Sequence, residues 1–280
     1  MRSSLKSCLT NKNRAMAIKI TPEITSKFWR SNALLISGKD RQCECYYWKV
    51  DEEWPCTFTS LGLNKMIDSH CHIDMILEKS GHTSYSELVD QSEWWPEAII
   101  QVASDGDRID ATLELVENHE DIFFTAGQHP HEASLYNDAL HQRLIELMQH
   151  PRCVGWGECG LDYHYDYSPR DQQRKVCLKQ FQAAVDLDKT IVVHSREADE
   201  EIYSILADLP KGQRIHFHCY TSPANFVEKL LSLQLDLSIG FTGIATFNNA
   251  PAVHRAIELT PIERLLVETD SPFLAPVPFR

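Results

Sequence analysis

From Met66 onward the chain alternates between short apolar runs and stretches with a helical repeat. The apolar runs read "KMIDSHCHI", "EAIIQVAS", "IFFTAGQHP", "CVGWGECGLD", "TIVVHSRE", "RIHFHCY", "LDLSIGFTG" and "RLLVETDSP". Between them lie amphipathic stretches such as "DRIDATLELVENH", "LYNDALHQRLIELMQH", "RDQQRKVCLKQFQAAVDLD", "ADEEIYSILADL" and "PANFVEKLLSLQ". In the last of these, Phe226, Leu230 and Leu233 recur at the spacing of a helix packed on a sheet. Strands alternating with helices pair in parallel, and eight is the number that closes a TIM barrel. A doubly wound open sheet is the competitor. Polar residues at the C-terminal ends of strands one, three, four, five, six and eight favour the closed ring, where those ends converge.

Residues 1–65 do not join this rhythm. Short apolar pieces ("NALLIS", "CYYWKV") are separated by charged clusters. They are assigned to an N-terminal extension, partly irregular, and residues 66–280 to the barrel. No helix-length stretch follows the eighth strand. The barrel therefore lacks its last helix, and the outer faces near Ile67, Leu266 and Val267 are expected to be exposed unless the extension covers them.

Composition narrows the class. Hydrophobic residues make up 43% of the 280, enough for a large core. No apolar run is long enough to cross a membrane, and the N-terminus lacks a signal-peptide core. Five basic residues and no acid in the first twenty superficially resemble an organelle transit peptide, but no clean amphipathic pattern accompanies them. The nine cysteines are odd in number and scattered, which fits reduced thiols in the cytoplasm or nucleus better than a disulfide framework. Cys43, Cys45 and Cys56 lack an evident fourth zinc ligand and read as an incidental cluster. The net charge of −13 excludes the broad basic footprint of a duplex clamp. A polyanionic substrate would be met locally, with metal cations supplying the positive charge.

The candidate chemistry lies at the strand ends. In "MIDSHCHID", alternation puts Asp68, His70 and His72 on one face, where two imidazoles can reach one metal ion. On strand four, Glu158 falls in phase with Trp156 and Val154. On strand five, His194 falls in phase with Val192 and Arg196. His216, His218 and Tyr220 share a face of strand six; Glu268, Asp270 and Pro272 share one of strand eight. A single buried histidine or carboxylate is more often a satisfied core group. Five such strand ends in one barrel reverse that reading, because buried charges need partners and a metal supplies them. The nitrogen and oxygen donors suit Mg, Mn or Zn.

The order of "DSHCHID", "GQHPH", "GECGLDY", "VHSRE", "HFHCY" and "VETDSPFLAP" makes residues 66–280 resemble the TatD family of metal-dependent nucleases. The resemblance implies metal ligands at His70, His72, Glu158, His194, His218 and Asp270, and a phosphate contact at His129. His131 reads as a loop histidine, and Glu197 stands where the family usually has Asp. Two divalent ions would activate water and neutralise phosphoryl charge. His70, His72 and Asp270 would hold one ion, and His194 and His218 the other, with Glu158 as the bridge. Asp270 would also accept the water proton, so Asp270 and Glu158 are the expected catalytic residues. Arg196 would bind phosphate, or pair with Glu197 or Asp162. The implied enzyme is a monomeric deoxyribonuclease acting on DNA ends or single strands, or on RNA. A small-molecule amidohydrolase, such as a lactonase or deaminase, shares the barrel and the His-x-His start. It commonly carries a bridging lysine on a middle strand, where this chain offers Glu158.

Overall fold

The structure is a computed structural model and describes residues 66–92 and 95–279. The expectations for residues 1–65, including the Cys43–Cys45–Cys56 cluster, lie outside the described residues. Eight strands form one parallel sheet in sequence order: β1 (Ile67–Cys71), β2 (Ala98–Ala103), β3 (Ile122–Ala126), β4 (Cys153–Asp162), β5 (Thr190–Arg196), β6 (Arg214–Phe217), β7 (Asp236–Phe241) and β8 (Leu265–Val267). Helices α1 (Ile73–Ser80) and α2 (Tyr85–Gln91) follow β1, and α3 (Ile109–Asn118) follows β2. After the next five strands come α4 (Asp138–Leu147), α5 (Arg170–Asp186), α6 (Asp199–Ala207), α7 (Ala224–Ser232) and α8 (Pro251–Leu259).

Parallel strands joined by helical crossovers bury their outward side chains under the helix ring. Ile99, Phe124, Ile191, Val193, Phe217 and Ile239 form that layer with Leu115, Phe181, Ile202 and Leu230 from the helices. Inside the ring the residues are small or polar: Thr125, Ser238 and Gly240 leave room for the histidines at the mouth. The barrel closes between β8 and β1 through Asp270 N–H to His70 O (2.9 Å) and His72 N–H to Ser271 O (2.8 Å). Asp68 reinforces the seam by accepting from the N–H and hydroxyl of Thr269 (3.0 and 2.7 Å).

No helix follows β8 within residues 268–279. The expected exposure does not follow from that. Ile67 and Leu266 are buried and Val267 half-buried. Leu266 is two residues from Glu268 and pairs with inward-facing Gly240, so it points into the barrel and needs no outer cover. The last described segment folds back on the turn after β7, where Val277 N–H donates to Thr246 Oγ1 (2.8 Å).

A second correction concerns β4. Trp156 and Glu158 do not share a face. The Trp156 indole turns outward and donates to Gln180 Oε1 on α5 (3.0 Å), whereas Glu158 points into the mouth. The pairing with β5 shifts register between Trp156 and Cys159, and this irregularity rotates Glu158 inward. Gly157 sits there at φ 145°, and a Cβ on it would collide with Val192.

Candidate metal centre

His70, the end of β1 and the turn after it bring two imidazoles to the mouth. Both ring nitrogens of His70 are buried without a hydrogen-bond partner, as is Nδ1 of His72. His70 Nε2 lies 3.5 Å from Glu158 Oε2 and 3.7 Å from Asp270 Oδ1, and His72 Nε2 lies 3.3 Å from Asp270 Oδ1. Asp270 follows β8 at φ 54°, a left-handed conformation that Asp tolerates and that turns its carboxylate toward β1. A buried imidazole with both nitrogens unmet costs free energy unless something fills the space between the donors. A divalent cation fits that space: a hard or borderline ion takes imidazole nitrogen and carboxylate oxygen together.

Glu158 is the hub. Its Oε1 is 2.7 Å from His194 Nδ1, 3.5 Å from His218 Nε2 and 3.7 Å from His129 Nε2. Among the described residues three groups have donor atoms close enough to share an ion: His70, His218 and Asp270; His70, His72 and Glu158; and His129, Glu158 and His194.

The outer partners decide which ring nitrogen each histidine offers. His218 Nδ1 lies 3.0 Å from Glu268 Oε1, a charge contact outside hydrogen-bond geometry, and Nε2 faces the mouth. His194 Nε2 bonds Asp162 Oδ2 (3.1 Å), which leaves Nδ1 toward Glu158. Carboxylates that fix the far nitrogen of a ligating histidine are the usual support of a metal centre. His129 behaves differently. Its Nδ1 accepts the backbone N–H of His131 (3.2 Å), so in the neutral ring Nε2 carries the proton and donates. A donor facing the mouth suits a phosphoryl oxygen better than a cation, so despite its proximity to Glu158 His129 falls outside the ligand set.

Charge follows the same partners. Burial, together with cationic His218 stacked 3.5 Å away, lowers the pKa of His70 to about 4. Burial also opposes charge on His218, but Glu268 and Glu158 outweigh it and raise its pKa to about 10. Burial resists ionisation of Glu158, yet His218, His129, His194 and His70 hold its pKa well below the usual carboxylate range. Without an ion, the centre is a buried carboxylate surrounded by imidazoles of which His218 carries a proton.

Several partners were not singled out from sequence. Glu268 holds His216 Nε2 (2.8 Å) and accepts the N–H of Cys219 (2.5 Å). Asp162 holds His131 Nε2 (2.9 Å) as well as His194, so His131 is more than a loop histidine. The period-two phase of Glu268 with Asp270 was the one sequence signal for its inward placement. Arg196 pairs with neither Glu197 nor Asp162: its guanidinium lies 4.8 Å over the Tyr165 ring, and Glu197 bonds His164 instead (2.7 Å).

Gly240 tests the Glu268 support. A Cβ there would overlap the Glu268 carboxylate. Gly240→Ala is expected to cost about 1–3 kcal/mol by overpacking. Loss of the His218 support should lower metal-dependent turnover by about 10- to 100-fold. Thermal melting and initial rates read the two effects; unchanged values would remove Glu268 from the support of the centre.

A closed eight-stranded ring with a buried histidine and carboxylate cluster at its C-terminal mouth defines a metal-centre TIM barrel. Within that class the chain belongs to the TatD family: the profile of TatD related DNase matches residues 67–280. It is 34% identical over 220 residues to the human 3′-5′ RNA nuclease TATDN2, covering 75% of this chain but only 29% of that protein. With the uncharacterized metal-dependent hydrolase YabD of Bacillus subtilis it shares 32% identity over 219 residues, 77% of this chain and 83% of YabD. The crystal structure of YjjV, a TatD homologue of Escherichia coli, superposes with a TM-score of 0.67 at 25% identity, covering 77% of this chain and 82% of that one.

Proposed function

We propose that this TatD-family metal-dependent hydrolase cleaves phosphodiester bonds of DNA or RNA with two divalent ions. One observation carries the reading: Glu158 is a single buried carboxylate whose Oε2 faces His70 and whose Oε1 faces His194 and His218, as a ligand shared by two ions would. The names of the family and of the human relative support a nucleic-acid substrate. His70, His72 and Asp270 would hold one ion, and His194 Nδ1 and His218 Nε2 the other, with Glu158 available to both. Mg, Mn and Zn all suit this donor set. Bound ions supply neutralisation of phosphoryl charge and acidification of a water molecule.

The remaining steps fall to the chain itself. Asp270 takes the proton of the attacking water. Its side chain is 13% exposed, against 5% for Glu158 and 0% for Glu268, so it can pass that proton to solvent. His129 donates to a phosphoryl oxygen from Nε2, and Arg196 attracts a phosphate at the rim. Glu268 and Asp162 keep His218 and His194 in the ligating tautomers. Because the bridge is Glu158, no observation favours the small-molecule amidohydrolase reading. Among the described residues no helix is long and apolar enough to cross a membrane. Buried Cys153, Cys159 and Cys177, none in a disulfide, fit action in the cytoplasm or nucleus. A monomer suffices, since every proposed ligand comes from one chain.

The test is hydrolysis of single- and double-stranded DNA and RNA with added Mg, Mn or Zn and with EDTA. Metal-dependent cleavage of at least one polymer is expected, and none of any polymer overturns the reading. The protein is further expected to bind about two divalent ions per chain. No bound metal by elemental analysis, with no metal-dependent rise in Tm, would sink that. Glu268 and Glu158 raise the pKa of His218 to about 10 in the ion-free protein, so it must release its Nε2 proton to ligate. Calorimetry in buffers of different ionisation enthalpy should therefore read proton release on metal binding. Heats independent of buffer would show that no proton leaves His218 when the ion binds.

A further inference from the structure

Beside the centre, the loop after β4 holds two phenol rings face to face in solvent. Tyr165 is 45% and Tyr167 67% exposed, and their rings lie 5.2 Å apart at 16°. Most large aromatic rings elsewhere in the described chain are buried or half-buried. Tyr163, in the same loop, turns its hydroxyl to Glu201 (2.5 Å). The loop is anchored, because Asp162 Oδ1 accepts the N–H groups of His164 and Tyr165 (both 3.0 Å) and Arg170 Nη2 donates to Tyr163 O (3.1 Å).

We propose that Tyr165 and Tyr167, with Arg196, form a stacking platform for an unpaired base of the strand being cleaved; this rests on the nuclease reading above. Three features converge on it. The platform adjoins the mouth: His131 makes edge contacts with Tyr165 and Tyr167 (5.4 and 4.8 Å) and stands 4.2 Å from His129, the phosphate donor. The Arg196 guanidinium lies over Tyr165 with no carboxylate partner among the described residues, although acidic residues outnumber basic ones, 40 to 27. Free of an ion pair, it is available for a phosphate. And the excess of acid leaves little general attraction for a polyanion, so the strand must be held by local contacts, for which base–aromatic stacking is the sequence-tolerant choice. The opposite rim offers a single exposed ring, Phe273, in place of a stacked pair. In a duplex every pair but the terminal one hides both faces in the stack, so the platform favours single strands and frayed ends. It reads a π-face, and so treats DNA and RNA alike.

The experiment measures binding of a short fluorescein-labelled single strand to the full chain in EDTA by anisotropy. Y165A/Y167A is expected to bind about tenfold or more weakly, the loss of at least one stacked base. Y165F/Y167F, which keeps both ring faces, should bind as the wild type does. A strand with abasic terminal nucleotides should bind the wild type more weakly by a similar factor and make no difference to Y165A/Y167A. Equal affinity of wild type and Y165A/Y167A, or no binding of the strand by the wild type, overturns the platform. Metal-dependent cleavage of the same strand by the wild type is scored separately. Cleavage without a tyrosine effect on binding removes the platform and leaves the nuclease reading. Tyrosine-dependent binding without cleavage does the reverse.

Discussion

Glu158→Gln is expected to abolish metal-dependent hydrolysis and the uptake of both ions. In the structure one buried carboxylate faces His70, His129, His194 and His218 at 2.7–3.7 Å. Glutamine keeps the volume but replaces one acceptor oxygen with an NH2 donor and removes the charge. A cation between the two histidine sets then loses its shared ligand. If several kcal/mol of charge stabilisation vanish, at about 1.4 kcal/mol per tenfold in rate, turnover falls by about a thousandfold or more. The fold should persist, because the surrounding outer layer of Phe124, Ile191 and Phe217 is untouched. Elemental analysis, circular dichroism and initial rates check the three claims. Two ions retained with turnover near normal would show that Glu158 is not the bridge.

The second large effect belongs to Asp270→Asn. Asparagine adopts the left-handed backbone at this position as readily as aspartate, so the seam bond from residue 270 N–H to His70 O is kept. What is lost is charge and basicity, at an oxygen 3.3 Å from His72 and 3.7 Å from His70. A group serving as ligand and proton acceptor should cost about two orders of magnitude or more when neutralised. In EDTA the variant should still melt as a folded barrel, its Tm lowered only by the weakened contact of residue 270 with His72 Nε2. The difference from Glu158→Gln is in metal content: one ion is expected to remain in Asp270→Asn. Turnover near the wild-type rate would move the proton acceptor elsewhere.

Much of this arrangement is legible in the sequence. The β4 and β5 runs were legible because apolar runs bounded by polar turns have one stable use in an α/β chain. The strand ends were read too long at β1, β6 and β8, where His72, His218 and Asp270 lie past the last paired residue. Regular pairing stops there, although the N–H groups of His72, His218 and Asp270 still bond the neighbouring strand. The six proposed ligand positions lie in five of the six short motifs that run in order along the chain, and the sixth motif carries His129. The roles of Glu268, Asp162 and His131 were not legible, since each is defined by a partner 31 to 52 residues away in sequence.

The sequence by itself determined the eight-fold alternation, the kind of donor at each strand end, and the family, because each depends on local pattern and on order along the chain. Tertiary structure alone decided the rest. It turned Trp156 and Glu158 to opposite faces through a register shift that strict alternation misses. It set which nitrogen each histidine presents, because that choice belongs to the neighbour holding the other one: Glu268 for His218, Asp162 for His194, and the His131 N–H for His129. It left Arg196 over an exposed tyrosine rather than in an ion pair. Tautomer and charge are properties of contacts, and contacts between strands far apart in sequence exist only once the barrel has closed.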